Sequence, residues 1–320
     1  MKKCFAALLC SLFLLSCGTS QDDEVIQLEA HERTTYEPDT TVAQETNAPS
    51  ASVTETEVPA PAREQWDIVS LSPTATEMLF AIGLGDWVVA VDNYSNWPPE
   101  APMIAELSAF NPNIEMIADL EPDLVVVSDW GIAEELKALG LNVFVAPAAE
   151  SLDDVFNQID QLAVLTGAFD GAETLIDSMK MRIASVVASI DRPAEPLTYY
   201  HELDDTLYSV TSSTFIGQIY SMAGLINVAD AADEDGSSWG YPQLSQEFLL
   251  EADPDIIFYA DAKCCGQSAE TIAARPGWSE LTAVKNGNIY EIDADISSRW
   301  GPRLPDFLEA VSAAVAALNE

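Results

Sequence analysis

Seven short apolar runs punctuate the chain: "IVSLS" (68–72), "WVVAV" (87–91), "LVVVS" (124–128) and "NVFVA" (142–146), then "LTYY" (197–200), "IIFYA" (256–260) and "NIYEI" (288–292). Each is four or five residues long and rich in β-branched or aromatic side chains, which predicts buried strands. The stretches between them carry apolar residues at helical spacing. Strands alternating with helices call for parallel or mixed sheets covered by helices, an α/β fold.

Two segments repeat at an offset of 132 positions. "IEMIADLEPDLVVVSDW" (114–130) and "QEFLLEADPDIIFYADA" (246–262) share a glutamate, a helical apolar period, a Pro-Asp step and an apolar run closed by aspartate. In each, a short helix ends before the proline and Pro-Asp feeds a buried strand. Glu115 aligns with Glu247, Pro122 with Pro254 and Asp129 with Asp261. A weaker match pairs "EMLFAIGLGD" (77–86) with "QIYSMAGLIN" (218–227), both amphipathic helices stopped by Gly-Leu. Two similar lobes are therefore expected, over 65–168 and 193–320. Between them, Ala172 to Arg192 contains no glycine or proline, and Leu175, Ile176, Met179, Ile183, Val186, Val187 and Ile190 fall on one helical face. A helix within 169–192, of about 20 residues and roughly 30 Å, is long enough to cross from lobe to lobe. As the only connector, it permits little hinge closure and leaves a cleft between the lobes.

The first residues read differently. "MKKCFAALLCSLFLLSCGTS" sets two lysines before an apolar run, the pattern of a secretory signal over 1–16, too short to span a bilayer. Its end, Leu14-Leu15-Ser16-Cys17-Gly18, resembles the bacterial lipobox, which implies cleavage before Cys17 and lipidation of that residue. The expected location is the extracytoplasmic face of the cell membrane, with attachment through the lipid. From 17 to 64 the chain is rich in Thr, Glu, Pro, Ser and Ala without apolar period, the composition of a disordered tether.

Charge narrows the partners. The net charge is −40, from 13 basic and 53 acidic residues, and the segment after the tether holds only nine of the basic ones. Nucleic acids and anionic membranes are recognised by clustered Lys and Arg, so both are excluded as partners. Such a surface repels itself unless screened, which fits a saline setting.

"IVSLSPTATEMLFAIGLGDWVVAVDNYSNWPPEA", "NIEMIADLEPDLVVVSDW", "STFIGQIYSMAGLINVADAA", "YPQLSQEFLLEADPDIIFYAD" and "SRWGPRLPDFLEAV" together resemble the Fe/B12 periplasmic-binding domain over nearly all of Trp66 to Glu320. The resemblance implies a substrate-binding protein of an ABC importer for cobalamin, ferric siderophores or haem: two α/β lobes joined by one long helix, acting as a monomer and not as an enzyme. It implies that Glu115 and Glu247, one on each lobe, dock against arginines of the permease dimer. It also implies ligand contacts from cleft-facing loops, at Ser72, Pro73, Tyr94, Phe110 and Trp130 in the first lobe, and Trp239, Tyr241 and Arg299 in the second. Aromatic faces suit a large ring system, and Arg299 suits an amide or carboxylate oxygen.

His201 opens "HELDD" and is the only histidine after the tether, since His31 lies within it. At the expected cleft mouth it would hydrogen-bond ligand, shape its loop or, in a haem-binding protein, ligate iron. One histidine is too few for a bare transition-metal site, so no metal site is expected. Arg299 and Arg303 are almost the only cations that fall near the cleft, which favours a neutral ligand, cobalamin or a ferric hydroxamate siderophore, over strongly anionic ones; no covalent cofactor is expected. A lipid-anchored hydrolase is the rival from another class, but His201 is its only base and no G-x-S-x-G elbow occurs. An adhesive surface protein is a second rival, which the tether would also suit, but neither rival accounts for the lobed repeat.

Cys4 and Cys10 fall in the signal and Cys17 at the anchor, leaving Cys264 and Cys265. Adjacent α-carbons lie about 3.8 Å apart, below the usual disulfide range of roughly 4.4–6.8 Å. Two states stay open: a strained vicinal disulfide stiffening the loop, or two reduced thiols packed as small hydrophobes.

Overall fold

The computed structural model describes residues 65–318; the signal, Cys17 and the tether lie outside the described residues. The first sheet is built from β1 (Ile68–Leu71), β2 (Val88–Asp92), β3 (Ala105–Leu107), β4 (Leu124–Val127) and β5 (Val143–Val145), in the order β3-β2-β1-β4-β5. The second contains β6 (Thr198–Glu202), β7 (Ile226–Asn227), β8 (Ile256–Tyr259) and β9 (Ile289–Glu291), in the order β7-β6-β8-β9. Every strand pair in both is parallel, so of the two expected sheet types only the parallel one occurs among the described strands. The helices of the first half are α1 (Pro73–Ala81), α2 (Ile114–Asp119), α3 (Trp130–Ala138), α4 (Leu152–Thr166) and α5 (Phe169–Ser189). Those of the second are α6 (Phe215–Met222), α7 (Gln246–Ala252), α8 (Ala262–Cys265), α9 (Ala269–Ala273), α10 (Thr282–Asn286), α11 (Ala294–Ser298) and α12 (Leu304–Ala317).

The two sheets repeat one plan, with β2-β1-β4-β5 matching β7-β6-β8-β9. The sequence repeat falls on α2–β4 and α7–β8 and is preserved in backbone detail. Glu121 and Asp253, each just before its proline, both take the left-handed conformation, at φ 47° and 43°. The aspartate after each proline then clamps the start of the neighbouring strand. Asp123 Oδ2 accepts from the Asp67 N–H at 3.2 Å, and Asp255 Oδ2 accepts from the Thr198 N–H at 2.8 Å. The Pro-Asp step thus sets the register of the central strand pair in each lobe.

β1, β4 and β8 are buried along their whole length, which is why they read as continuous apolar runs rather than alternating ones. β3 and β7 are short edge strands whose exposed positions gave no such run. α5 packs against α1, α4 and α12. α12 lies along it, with Arg182 paired to Asp306 at 2.5 Å and to Glu309 at 2.8 Å. One apolar core runs through both lobes, joining Ile68, Met78 and Leu124 to Tyr199, Tyr220, Phe258 and Phe307. Hinge motion would have to break this shared core, so the lobes are held in a nearly fixed relation.

Candidate functional site

In open parallel sheets, ligands bind outside the carboxyl ends of the strands, where the strand order reverses. Here the loops after β1, β2, β4 and β5 and those after β6, β7 and β8 leave those ends. A cavity of about 540 Å³ lies between the two sets. The first lobe contributes Ala148–Glu150, after β5; the second contributes Ser213–Phe215 at the start of α6 and the loop 233–241. The lobes are joined beside it where Gln218 Nε2 donates to the Glu150 carbonyl at 2.5 Å.

The loop 233–241 is built around one carboxylate. Asp233 Oδ1 accepts from the Ser238 N–H at 2.7 Å and Oδ2 accepts from the Gly240 N–H at 2.8 Å. Gly240, at φ 84°, sits so close to α6 that a β-carbon there would meet Thr214 Cγ2 at 2.7 Å. With the loop anchored behind, Trp239 at φ 55° is turned outward and 88% exposed. Tyr241 is 41% exposed on the same cavity. Three carboxylates (Glu150, Asp233 and Glu234) and no lysine or arginine line this space.

In the first lobe, Ser72 is a buried helix cap whose Oγ accepts from the Ala75 N–H at 3.3 Å, with Pro73 opening α1 behind it. Its side chain caps α1, a structural role beside the expected ligand contact. Asp92, at the end of β2, accepts from the Tyr94 N–H at 2.8 Å and from Ser95 Oγ at 2.7 Å, which fixes the next loop. Burial pushes the Asp92 carboxyl above its ordinary range, against these hydrogen bonds. Tyr94 is 50% exposed and meets Phe110 edge-on at 5.3 Å, so these two expected contacts form one aromatic pair. Trp130 is the first residue of α3, capped by Asp129 at the carboxyl end of β4.

Two further expected contacts are buried. Arg299 directs both terminal guanidinium nitrogens to partners within the protein. It is buried and donates to Glu77 Oε1 at 2.8 Å, Asn96 Oδ1 at 2.8 Å, the Tyr94 carbonyl at 3.0 Å and Asp295 Oδ1 at 2.9 Å. Arg303 also binds Glu77, at 2.9 and 2.5 Å. The four charge-assisted bonds of Arg299 engage both terminal nitrogens and hold the Tyr94 loop of one lobe against the segment before α12. His201 is not at the cleft mouth. It lies within β6, fully buried, with Nδ1 2.7 Å from Tyr220 Oη and Nε2 unpartnered, and burial lowers it to about 3.

Further charges are buried nearby, and no motif in the sequence marks Glu202 or Arg275. Glu202 at the end of β6 takes both guanidinium arms of Arg275 at 2.6 Å. Asp261, after β8, is fully buried with both carboxylate oxygens unpartnered, and burial followed by the Glu202 charge pushes it up to about 7. Its only signal was the alignment with Asp129, which is exposed and caps α3. Asp233 was detectable as the head of an acidic, glycine-bearing turn, "DEDGSSWG".

Glu115 and Glu247 occupy the same place, the second residue of α2 and of α7, and both are exposed. Cys264 and Cys265 are both free and exposed at the end of α8, neither bridged nor packed as small hydrophobes.

Residues 68–296 match the model of the periplasmic binding protein family, which covers well over half of the chain, so the chain belongs to that family. Among curated proteins it is 28% identical over 320 residues to an uncharacterized ABC transporter substrate-binding lipoprotein, YvrC, of Bacillus subtilis, covering 97% of this chain and 95% of that one. It is 28% identical over 254 residues to the vitamin B12-binding protein of Vibrio cholerae, covering 76% of this chain and 87% of that one. The solved haem-binding protein RhuT of Roseiflexus shares the fold at a TM-score of 0.70 and 24% identity, over 80% of this chain and all of that one.

Proposed function

We propose that this chain is a lipid-anchored, extracytoplasmic solute-binding protein that holds a corrinoid between its lobes and presents it, as a single copy, to an ABC importer. The observation that carries the ligand is the cleft itself. Exposed Trp239 and Tyr241 offer flat faces to a macrocycle, while Glu150, Asp233 and Glu234 add acceptors and no cation. Cobalamin is rich in amide N–H donors and carries no carboxylates, and the cobalt centre balances its one phosphodiester, so it meets this lining without the repulsion of an anionic ligand. Haem brings two propionates towards an acidic rim, and the single histidine considered as its iron ligand, His201, is buried inside β6. Ferric hydroxamates remain the second neutral class and differ from corrinoids in shape and absorbance.

Transport roles follow the family. Glu115 and Glu247, equivalent and exposed on the two lobes, suit docking to basic sites on the two halves of a permease. Cys17 supplies the anchor, in line with the lipoprotein name of the Bacillus subtilis relative. The test is direct binding to the purified protein. Cobalamin is expected to quench tryptophan fluorescence in the micromolar range or below, with ferric hydroxamate and haem weaker by at least tenfold. Tighter binding of either of these would replace the corrinoid, and the absorbance of protein taken from its native host would identify which.

A further inference from the structure

The exposed cysteine pair has no part in the cleft described above. β8 ends at Tyr259, and the four residues of α8 carry Cys264 and Cys265 at their end, before Gly266 at φ 69°. Nothing lies within 4 Å of where a Gly266 β-carbon would stand, so the turn opens onto solvent. Cys264 Sγ is 3.6 Å from the Asp261 carbonyl. The neighbouring Cys264 thiol, then desolvation and the nearby Asp261 and Asp205 carboxylates, push the Cys265 thiol up to about 12.

Geometry decides what such a pair takes. A disulfide needs its sulfurs about 2.05 Å apart, and adjacent residues reach that only by distorting the backbone between them. A soft atom inserted between the sulfurs lets them stay further apart. Soft thiolate sulfur selects soft acceptors. Among the described residues, no group of three or more His, Cys, Asp or Glu side chains is placed to hold a metal, so a four-coordinate zinc site is not built. We propose that Cys264 and Cys265 form a chelating dithiol site for thiophilic centres that bind two sulfurs, of which a trivalent arsenical is the type.

The chemistry balances without an oxidant. An arsenic(III) oxide, R–As=O, forms two As–S bonds, and its oxygen leaves as water with both thiol protons. Arsenic stays trivalent and both sulfurs keep their oxidation state. The oxide itself takes up both thiol protons.

The probe is phenylarsine oxide, added to the full chain and read by thiol titration with Ellman's reagent. Counting the difference between the wild type and a C264S/C265S variant isolates the pair from Cys4, Cys10 and Cys17. One equivalent of arsenical is expected to remove both titratable thiols of the pair, and 2,3-dimercaptopropanol to restore them. C264S and C265S alone should each show at least a tenfold loss of protection. Both side chains are exposed, so serine at either position leaves the fold intact, which circular dichroism checks. Equal protection in the single variants, or none in the wild type, overturns the site. So does a pair that titrates only after reduction, since it is then a native disulfide. These readouts involve neither cobalamin nor uptake, and failure here leaves the transport reading untouched.

Discussion

Arg299 and Glu77 meet at 2.8 Å across 222 positions of sequence, with both side chains almost wholly buried. The pair joins the segment before α12 to α1, and Arg303 and Asn96 complete it. A buried carboxylate needs its cations, because losing one partner leaves an uncompensated charge. Arg299→Met is therefore expected to destabilise the protein by about 3 kcal/mol, near the lower end for a broken buried pair because Arg303 remains. Arg299→Lys should recover only part of this, since a point charge cannot satisfy four acceptors in different directions. Urea unfolding checks both, and an unchanged midpoint for Arg299→Met would show that the network adds nothing to stability.

Much of this architecture was legible because strands buried on both faces write themselves as apolar runs. β1, β4 and β8 are of that kind, and the Pro-Asp step marked where two of them begin. β7 has two residues and β3 two exposed positions, so neither could stand out. The site was harder to read. Tyr94, Phe110, Trp239 and Tyr241 are exposed on loops, but Arg299 and His201 were assigned from their place in sequence and are both buried by partners distant along the chain. Glu77 accounts for Arg299, and Tyr220 for His201. Neither pairing leaves a periodic trace, because Arg299 and Glu77 lie 222 positions apart and His201 and Tyr220 sit on a strand and the helix that follows it.

Trp239 is the most exposed of the cleft aromatics, and Asp233 holds it there through two backbone N–H groups. Truncating a central aromatic anchor typically costs 2 kcal/mol or more, roughly thirtyfold in affinity. Trp239→Ala is expected to weaken corrinoid binding by about that factor and to remove most of the fluorescence change. Asp233→Asn keeps one acceptor and should lose less, about fivefold, while Asp233→Ala approaches the Trp239→Ala value. Calorimetric titration separates the three. If Asp233→Ala binds like the wild type, the loop does not depend on its carboxylate.

The matched positions of Glu115 and Glu247 yield a charge-reversal experiment. Both are exposed and away from the residues lining the 540 Å³ cavity. Glu115→Lys with Glu247→Lys is expected to lower uptake in whole cells at least tenfold while corrinoid affinity of the purified protein stays within twofold. Each single reversal should fall between, because half of a two-point contact remains. Loss of affinity in the purified double variant would move these glutamates from the docking face to the ligand site.

His201 and Asp261 bias the pH dependence of stability in opposite directions. His201 is held neutral down to about 3, below its ordinary 6.5. The unfolded chain therefore takes up a proton below about pH 6.5 that the folded one refuses, and the contribution present above that pH is lost as the pH falls. Asp261 is raised from 3.8 to about 7. The folded chain keeps a proton that the unfolded one releases, so its contribution is full at acid pH and lost as the pH rises towards 7. Each acts with a slope of about 1.4 kcal/mol per pH unit. Between roughly pH 4 and 6.5 the two slopes oppose each other and nearly cancel in the wild type. Asp261→Asn should expose the histidine slope, gaining stability over the wild type by about 1.4 kcal/mol for each unit of rising pH in that window. His201→Gln should do the reverse, gaining relative to the wild type as the pH falls. Denaturant titrations at pH 4.5, 5.5 and 6.5 measure all three chains. Parallel pH profiles for wild type and Asp261→Asn would mean that Asp261 is already ionised in the folded protein and that the buried carboxyl carries no proton.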